Sequence, residues 1–198
     1  MMPAVPEERL ERGGWSLVEE STETLVRLPA ARALGYTRLY EDAALRARIR
    51  EAAGIDRRWR FFFATRLTFA PPLPAGVGPA LLLPTVTAEV RRTFADDLRE
   101  RGFRGVERGR TEQVRVRSGG RARLQSFRAR LPLDVDGRSA AVPVEGWIGV
   151  WAADGEFRVA GGAYPTDLPE LGAALGVEAG PAASACRAEL FELLRAVS

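Results

Sequence analysis

The stretch Val142–Pro165, VPVEGWIGVWAADGEFRVAGGAYP, decides the fold. It predicts a long β-hairpin, because Asp154-Gly155 suits a two-residue type I′ turn, which needs positive φ at both central positions. A turn at this place sets the cross-strand register and gives the hairpin two unlike faces. The expected pairs are Trp151 with Arg158, Gly149 with Ala160, and Trp147 with Gly162.

The two faces of this hairpin differ in the size and polarity of their side chains. Ile148, Val150, Phe157 and Val159 form an ordinary core face, whereas Trp147, Trp151 and Tyr164 surround a floor of Gly149, Ala160 and Gly162. The aromatic face is either a groove that stacks on a ligand or a partner, or the seat of a covering helix. The second interpretation is favoured, because glycines 149 and 162 would allow close approach of a helix. Arg158 beside Trp151 would suit a cation–π pair in either case.

The composition indicates a globular chain whose cationic residues are all arginine. Its 198 residues are 46% hydrophobic and 28% charged, which suits one domain with a full core. All 29 positive charges are arginine, and Lys, Asn and His are absent. Because Lys and Asn use AT-rich codons, much of the arginine content reflects a GC-rich genome. The net charge of +3 is therefore weak evidence for a polyanion partner.

The domain organisation follows from patterning at the N-terminus and from the lack of long apolar runs. Residues 1–13 are polar and contain proline, and predict a flexible, frayed segment. Residues 14–198 then form a single α+β domain. The start of the chain lacks the apolar core of a secretory signal. The sequence contains no run of 18 apolar residues, so no transmembrane helix is expected. The single cysteine, Cys186, allows no internal disulfide, so a cytoplasmic location is expected.

Hydrophobic periodicity predicts a largely antiparallel sheet packed with helices. An N-terminal hairpin turns at Ser21-Thr22, and a central strand, Trp59–Phe69, has an aromatic face and an opposite face that is basic and partly covered. The proline-rich stretch 70–84 predicts an ordered crossing loop. The strands of a four-strand meander are expected at 106–117, 121–133, 142–153 and 156–164, with turns at 118–120, around Asp136-Gly137 and at Asp154-Gly155. Helices are expected at 43–53, 85–101 and 167–175, and after Gly180-Pro181.

The catalytic classes that need histidine are excluded within this chain. Without histidine there is no Ser-His-Asp or Cys-His arrangement, and Cys186 lies on the apolar stripe of the last helix, where an inert buried thiol is expected. The sequence contains three carboxylate pairs. Glu41-Asp42 is interpreted as the acidic start of a helix, Asp96-Asp97 as part of a solvated helix face, and Asp134 with Asp136 as residues that favour a turn. No motif suggests a cofactor, so an enzyme based on carboxylates, or a magnesium site held by one or two carboxylates, is only a third hypothesis.

A second candidate surface is a basic hairpin face. Arg115 and Arg117 alternate with valines, and Arg121 and Arg123 follow across the Ser-Gly-Gly turn, so all four can share one face. Further arginines lie close by, at positions 108, 110, 128 and 130. Such a patch can contact phosphates through bidentate guanidinium groups. A solvated outer face is the favoured alternative, because Phe103 and Phe127 are the only aromatic residues nearby and base stacking usually needs more.

The order of these elements resembles the PsbP-like α/β/α sandwich, in which helices cover both faces of an antiparallel sheet. The matching segments are GWSLVEESTETLVRL, VTAEVRRTFADDLRERG, the hairpin quoted above and the C-terminal helix. The overall composition and residue pattern of the sequence are also similar to those of uncharacterised archaeal conserved proteins. The resemblance implies a non-enzymatic accessory or binding role, often in the assembly of a larger complex, and implies no catalytic residues.

The sequence therefore predicts a non-catalytic binding or assembly factor that contacts a partner protein or a small ligand. The predicted contact surface is Trp147, Trp151, Arg158 and Tyr164. The alternative is an arginine-mediated polyanion binder that uses Arg115, Arg117, Arg121 and Arg123, with nucleic acid or an anionic membrane surface as partner. Of these partners, nucleic acid is possible but not favoured.

Overall fold

The computed structural model describes residues 1–27, 32–73, 77–135, 138–175 and 180–198. It contains one seven-stranded sheet in which all pairs of neighbouring strands are antiparallel, in the order β1-β2-β3-β7-β6-β5-β4. The predicted α+β class is confirmed. The strands are β1 (Trp15–Arg27), β2 (Arg32–Asp42), β3 (Phe61–Ala70), β4 (Arg104–Arg115), β5 (Arg121–Val135), β6 (Arg138–Ala153) and β7 (Glu156–Pro165). The helices are α1 (Glu7–Arg12), α2 (Ala43–Ala53), α3 (Pro79–Glu100), α4 (Leu168–Leu175) and α5 (Ala183–Ala196).

The β6–β7 hairpin has the predicted register. Trp151 pairs with Arg158, and Trp147 pairs with Gly162. The turn residues Asp154 and Gly155 have φ of 51° and 77°, as the type I′ turn requires. The predicted turn at Asp136-Gly137 lies outside the described residues, although β5 and β6 are paired up to Val135 and Arg138.

The N-terminal hairpin differs from the prediction, because β1 runs through Ser21-Thr22 without turning. These two residues pair with Thr37 and Tyr36 of β2. Serine and β-branched threonine lack the positive φ that a two-residue hairpin turn requires, and threonine is a good strand former. The first hairpin is therefore β1 with β2, and β2 is longer than the predicted strand at 36–40.

Helix α3 also begins earlier than predicted, at Pro79 within the proline-rich stretch. Proline is favourable at the first helical position, because its missing N–H has no partner there. Pro84 lies further inside the helix and removes one backbone hydrogen bond. Leu82 and Leu83 compensate by packing against the core, whereas Leu81 is 68% exposed. The crossing-loop prediction is therefore wrong from Pro79 onward.

Helices cover both faces of the sheet. On one face, Phe94 of α3 lies against Phe63 of β3 and Phe127 of β5, with ring centroids 5.9 and 5.4 Å apart. On the opposite face, Phe191 of α5 meets Trp147 edge-on at 5.0 Å. Because Trp147 and Ile148 point to opposite sides of β6, the aromatic face of the hairpin is the α5 side. Burial of both sheet faces explains why β7 is almost continuously buried.

The ends of the chain are joined to this core. Asp42, in the first predicted carboxylate pair, caps α2 by accepting a hydrogen bond of 2.9 Å from the Leu45 amide. Leu10 of α1 is 1% exposed, and the backbones of Ala4 and Ser198 exchange two hydrogen bonds. Within the segment 1–13, where the sequence predicts a frayed end, Pro3 and Leu10 are thus buried, while most of the other residues are exposed. Among the described helices, none is both long enough and apolar enough to cross a lipid bilayer.

Candidate functional site

The predicted contact surface on the β6–β7 hairpin is a buried layer. Trp147, Trp151 and Tyr164 are 0%, 2% and 1% exposed, and Arg158 is 6% exposed. Helix α5 lies over this face, with Phe191 against Trp147. The interpretation of a covering helix is therefore correct, and an open aromatic groove formed by these four residues is not present. Of the four, Trp147 contacts α5 directly, whereas Trp151 donates a hydrogen bond to Ser118 and Arg158 pairs with Glu156.

The glycines of this layer make room for two different neighbours. A Cβ atom at Gly162 would lie 2.8 Å from Cδ1 of Leu190, so this glycine admits helix α5 as predicted. At Gly149 a Cβ would instead collide with the Leu124 side chain of the neighbouring strand. Gly162 therefore makes room both for the Phe61 carbonyl of the neighbouring strand and for Leu190 of α5, whereas Gly149 makes room for a side chain of the sheet.

Polar groups close the edge of the aromatic layer. The Tyr164 hydroxyl donates a hydrogen bond of 2.5 Å to Glu145, and burial together with this bond raises the pKa of Tyr164. The predicted cation–π interaction involves other partners: Arg110 and Arg187 lie over the Trp147 ring at 5.2 and 5.3 Å. Every contact described here joins parts of the chain to each other, so this network stabilises the α5 side.

The second predicted surface, on the β4–β5 hairpin, is open. Arg115, Arg117, Arg121 and Arg123 are all exposed. Arg115 pairs directly with Arg121, and Arg123 lies two residues further along β5, so these three share the α3 face of the sheet. Arg117 follows the end of β4, where its amide donates to the carbonyl of Arg195 in α5. The prediction of one shared face thus holds for three of the four.

Other arginines extend this surface around the edge of the sheet. Arg128 and Arg130 lie at odd spacing from Arg123 on the regularly paired strand β5, which places them on the opposite face. Together with Arg104 they line an open groove beside Pro143. Since β4 is the edge strand, these exposed arginines project from both faces of one hairpin at the edge of the sheet.

Charge pairing distinguishes this hairpin from the rest of the molecule. Residues 101–130 contain ten arginines and two glutamates, whereas the remainder of the chain has 19 arginines and 24 carboxylates. Of the ten arginines within 101–130, which the structure describes in full, only Arg110 forms an ion pair. In the rest of the described chain ten arginines do so. A codon bias acts on the whole gene and does not explain this asymmetry.

Arg91 of α3 joins the same surface and was missed by the sequence analysis. Burial, with repulsion from Arg123 and Arg108, lowers the pKa of Arg91. Its Nη2 atom is buried and has no hydrogen-bond partner among the described residues. A signal was present in the sequence: Arg92 has Glu89 and Asp96 at helical spacing, whereas no carboxylate lies three or four residues from Arg91.

The chemistry available at this surface is anion binding. Guanidinium groups present planar pairs of N–H donors that match phosphate and carboxylate oxygens. Converging cations without counter-ions repel one another, and a bound anion would relieve that repulsion. In the described part of the chain, no three His, Cys, Asp or Glu side chains converge as a metal site would require.

Comparison with known proteins identifies a family without an assigned activity. A family model described as a domain of unknown function, DUF6517, matches residues 2–198. No curated protein and no solved structure matches the chain. The match covers nearly the whole sequence, including both edges of the sheet and all five helices. The chain therefore belongs to the DUF6517 family.

Proposed function

We propose that this protein is a non-catalytic binding factor that contacts a phosphate-bearing polyanion through the β4–β5 hairpin. The observation that carries the proposal is the concentration of ten exposed arginines at residues 101–130, of which only Arg110 is ion-paired, in a chain whose other arginines are mostly balanced by carboxylates. A cytoplasmic location is part of the proposal. The assembly role implied by the PsbP-like resemblance is compatible with it, since an arginine surface can tether a larger complex.

The composition of the hairpin favours a nucleic acid backbone over an anionic membrane. Membrane-surface binding combines basic residues with apolar side chains that insert between lipids. Among the described residues, the large exposed hydrophobic side chains are Met1, Leu17, Val18 and Leu81, all outside β4 and β5. Phe127 is 1% exposed and cannot stack on a base. The proposed binding therefore uses phosphates and is independent of base sequence.

The test is the salt dependence of binding to a short fluorescein-labelled nucleic acid duplex, measured by anisotropy. With about four phosphate contacts, the slope of log K against log salt concentration is expected at about −3 to −4. Replacing Arg121→Glu and Arg123→Glu together should weaken binding by about tenfold or more, because two contacts become repulsive.

A matched control makes the same change of net charge elsewhere. Arg50→Glu with Arg57→Glu alters two exposed arginines outside the hairpin, and this variant should keep nearly the affinity of the parent protein. Equal losses in the two double variants, or binding that does not respond to salt, would contradict the proposal. Vesicles of anionic phospholipid are tested as the alternative partner. Tighter binding to the vesicles than to the duplex would mean that the hairpin contacts a membrane surface and not a nucleic acid.

A further inference from the structure

A cavity of about 130 Å³ lies between α3 and the β1–β2–β3 part of the sheet, away from the arginine hairpin. Its walls are apolar and come from both layers: Leu39, Phe61, Phe63, Val90, Phe94 and Ile148. An engineered apolar cavity of about 150 Å³ in another protein binds benzene, so this space suits a compact ring or branched alkyl group. The cavity is partly open to solvent, and its lining includes Glu19, Ser21, Glu23 and Leu25 of β1.

Two hydroxyl groups form a polar point in this apolar lining. The Oγ1 atoms of Thr37 and Thr65 lie 2.8 Å apart, and Thr65 is 2% exposed. Each hydroxyl has one hydrogen to donate, and only one of the two is used between them. The other hydrogen has no acceptor among the described residues. The pair can therefore also orient a ligand.

Carboxylates surround the opening of the cavity. Glu19 and Glu23 project from β1, and Asp97 projects from α3. Among the described residues, none of these three side chains has a hydrogen bond or an ion pair. Among the lining residues that the structure describes, Arg101 is the only cationic one. The rim is therefore negative, although the molecule as a whole carries a net charge of +3.

Asp97 differs from its neighbour Asp96, although the sequence predicted one solvated helix face for both. Asp96 is ion-paired with Arg92 and Arg99 on the outer side of α3. Asp97 faces the cavity. Its burial raises the pKa of this carboxyl; the charge of Arg101 opposes that rise, and nearby Glu100, Glu23 and Asp96 add to it. A partly buried carboxylate without donors is unfavourable unless a cation approaches it.

The chain itself shows that a cation fits at this opening. The Arg101 guanidinium lies 5.8 Å from the centre of the Phe61 ring, within cation–π distance. Phe61 is at the same time a wall of the cavity. The ring and the carboxylates thus form an acceptor for a positively charged group, and Arg101 occupies part of that acceptor when no ligand is bound.

We propose that this cavity binds a small organic cation, an ammonium group carried by a compact apolar body. The apolar part would fill the space between α3 and β3, and the ammonium group would meet Asp97, Glu23 and Glu19 at the rim. Arg101, which precedes β4, is the one described residue of 101–130 that lines this cavity; the arginines of the β4–β5 hairpin do not line it, and neither proposal depends on the other.

The experiment compares three ligands of similar size that differ in charge: 2-phenylethylamine, 2-phenylethanol and phenylacetate. Binding to the full-length protein is measured by isothermal titration calorimetry and by NMR shifts of amides around the cavity. The amine should bind at least about tenfold more tightly than the alcohol, because one charge-assisted contact is added. Phenylacetate should bind most weakly. Affinity for the amine should fall as the pH is lowered and Asp97 becomes protonated.

Variants separate this site from a general charge effect. Asp97→Asn should weaken amine binding about tenfold and leave alcohol binding unchanged, because the volume is kept and the charge is lost. The matched control, Asp96→Asn, removes the same charge one residue away and should have little effect. Arg101→Gln should strengthen amine binding, because a competing cation is removed from Phe61.

Several outcomes would overturn the proposal. In the ligand series, these outcomes are that none of the three ligands shows saturable binding, that amine and alcohol bind equally, or that phenylacetate binds most tightly. Among the variants, the outcome is that Asp97→Asn and Asp96→Asn have equal effects. Circular dichroism and thermal unfolding confirm that each variant is folded. Val90→Phe, which fills the cavity from α3, should abolish amine binding without changing duplex binding, so that a failure here is distinguished from a failure of the polyanion proposal.

Discussion

At the scale of single residues, an arginine can be buried in this fold where a carboxylate lies close enough to form an ion pair. Arg60 comes from the strand face that the sequence predicts as basic and partly covered, yet it is 4% exposed. Its guanidinium donates to Asp42 at 2.7 Å and to Glu189 of α5, and lies 5.0 Å from the Trp15 ring. Removing one member of a buried ionic group leaves the others uncompensated.

Arg60→Met is therefore expected to lower the free energy of unfolding by about 3–5 kcal/mol. The control is Arg58→Met, since Arg58 pairs with Glu41 at 3.3 Å on a more exposed site. That change should cost less than about 1 kcal/mol. Urea unfolding of the two variants measures the difference. Similar costs would show that the Arg60 group has no special role in holding α5 to the sheet.

At the scale of secondary-structure elements, the contact of α5 with the sheet depends on small residues in β7. Gly162→Ala would place a Cβ 2.8 Å from Leu190 Cδ1 and against the Phe61 carbonyl. This overpacking should destabilise the protein by about 1–3 kcal/mol. Gly120→Ala is the control, because its Cβ would meet only ordinary contacts at 3.9 Å or more, and it should change stability by less than about 0.5 kcal/mol. Thermal unfolding compares the two, and an equal change would mean that both α5 and the neighbouring strand β3 adjust freely around Gly162.

At the scale of the whole molecule, one continuous sheet with a helix on each face predicts one cooperative unit. The tryptophans at positions 15, 59, 147 and 151 are 6%, 3%, 0% and 2% exposed and lie in different parts of the chain. Urea transitions followed by tryptophan fluorescence and by far-ultraviolet circular dichroism should coincide. Two separate midpoints would show instead that the chain contains more than one folding unit.

Much of the fold could be predicted from local patterns. The type I′ turn at Asp154-Gly155 set the β6–β7 register, and the apolar stripe Val86, Val90, Phe94 and Leu98 marked α3. The errors came from local signals that a larger context overrides. Ser21-Thr22 looked like a turn, but pairing with β2 continues through it. Prolines 79 and 84 looked like loop residues, but one starts a helix and the other is held in it by packing.

The candidate sites were less predictable, because they depend on contacts between distant segments. The sequence by itself determined which residues are aromatic or basic and which of them share a strand face, since the two-residue period of a strand is a local property. Only the tertiary structure decided that α5 buries Trp147, that the β4–β5 arginines lack carboxylate partners, and that Asp97 faces a cavity. The physical reason is that burial and charge pairing are set by which elements pack together, and this depends on the whole chain.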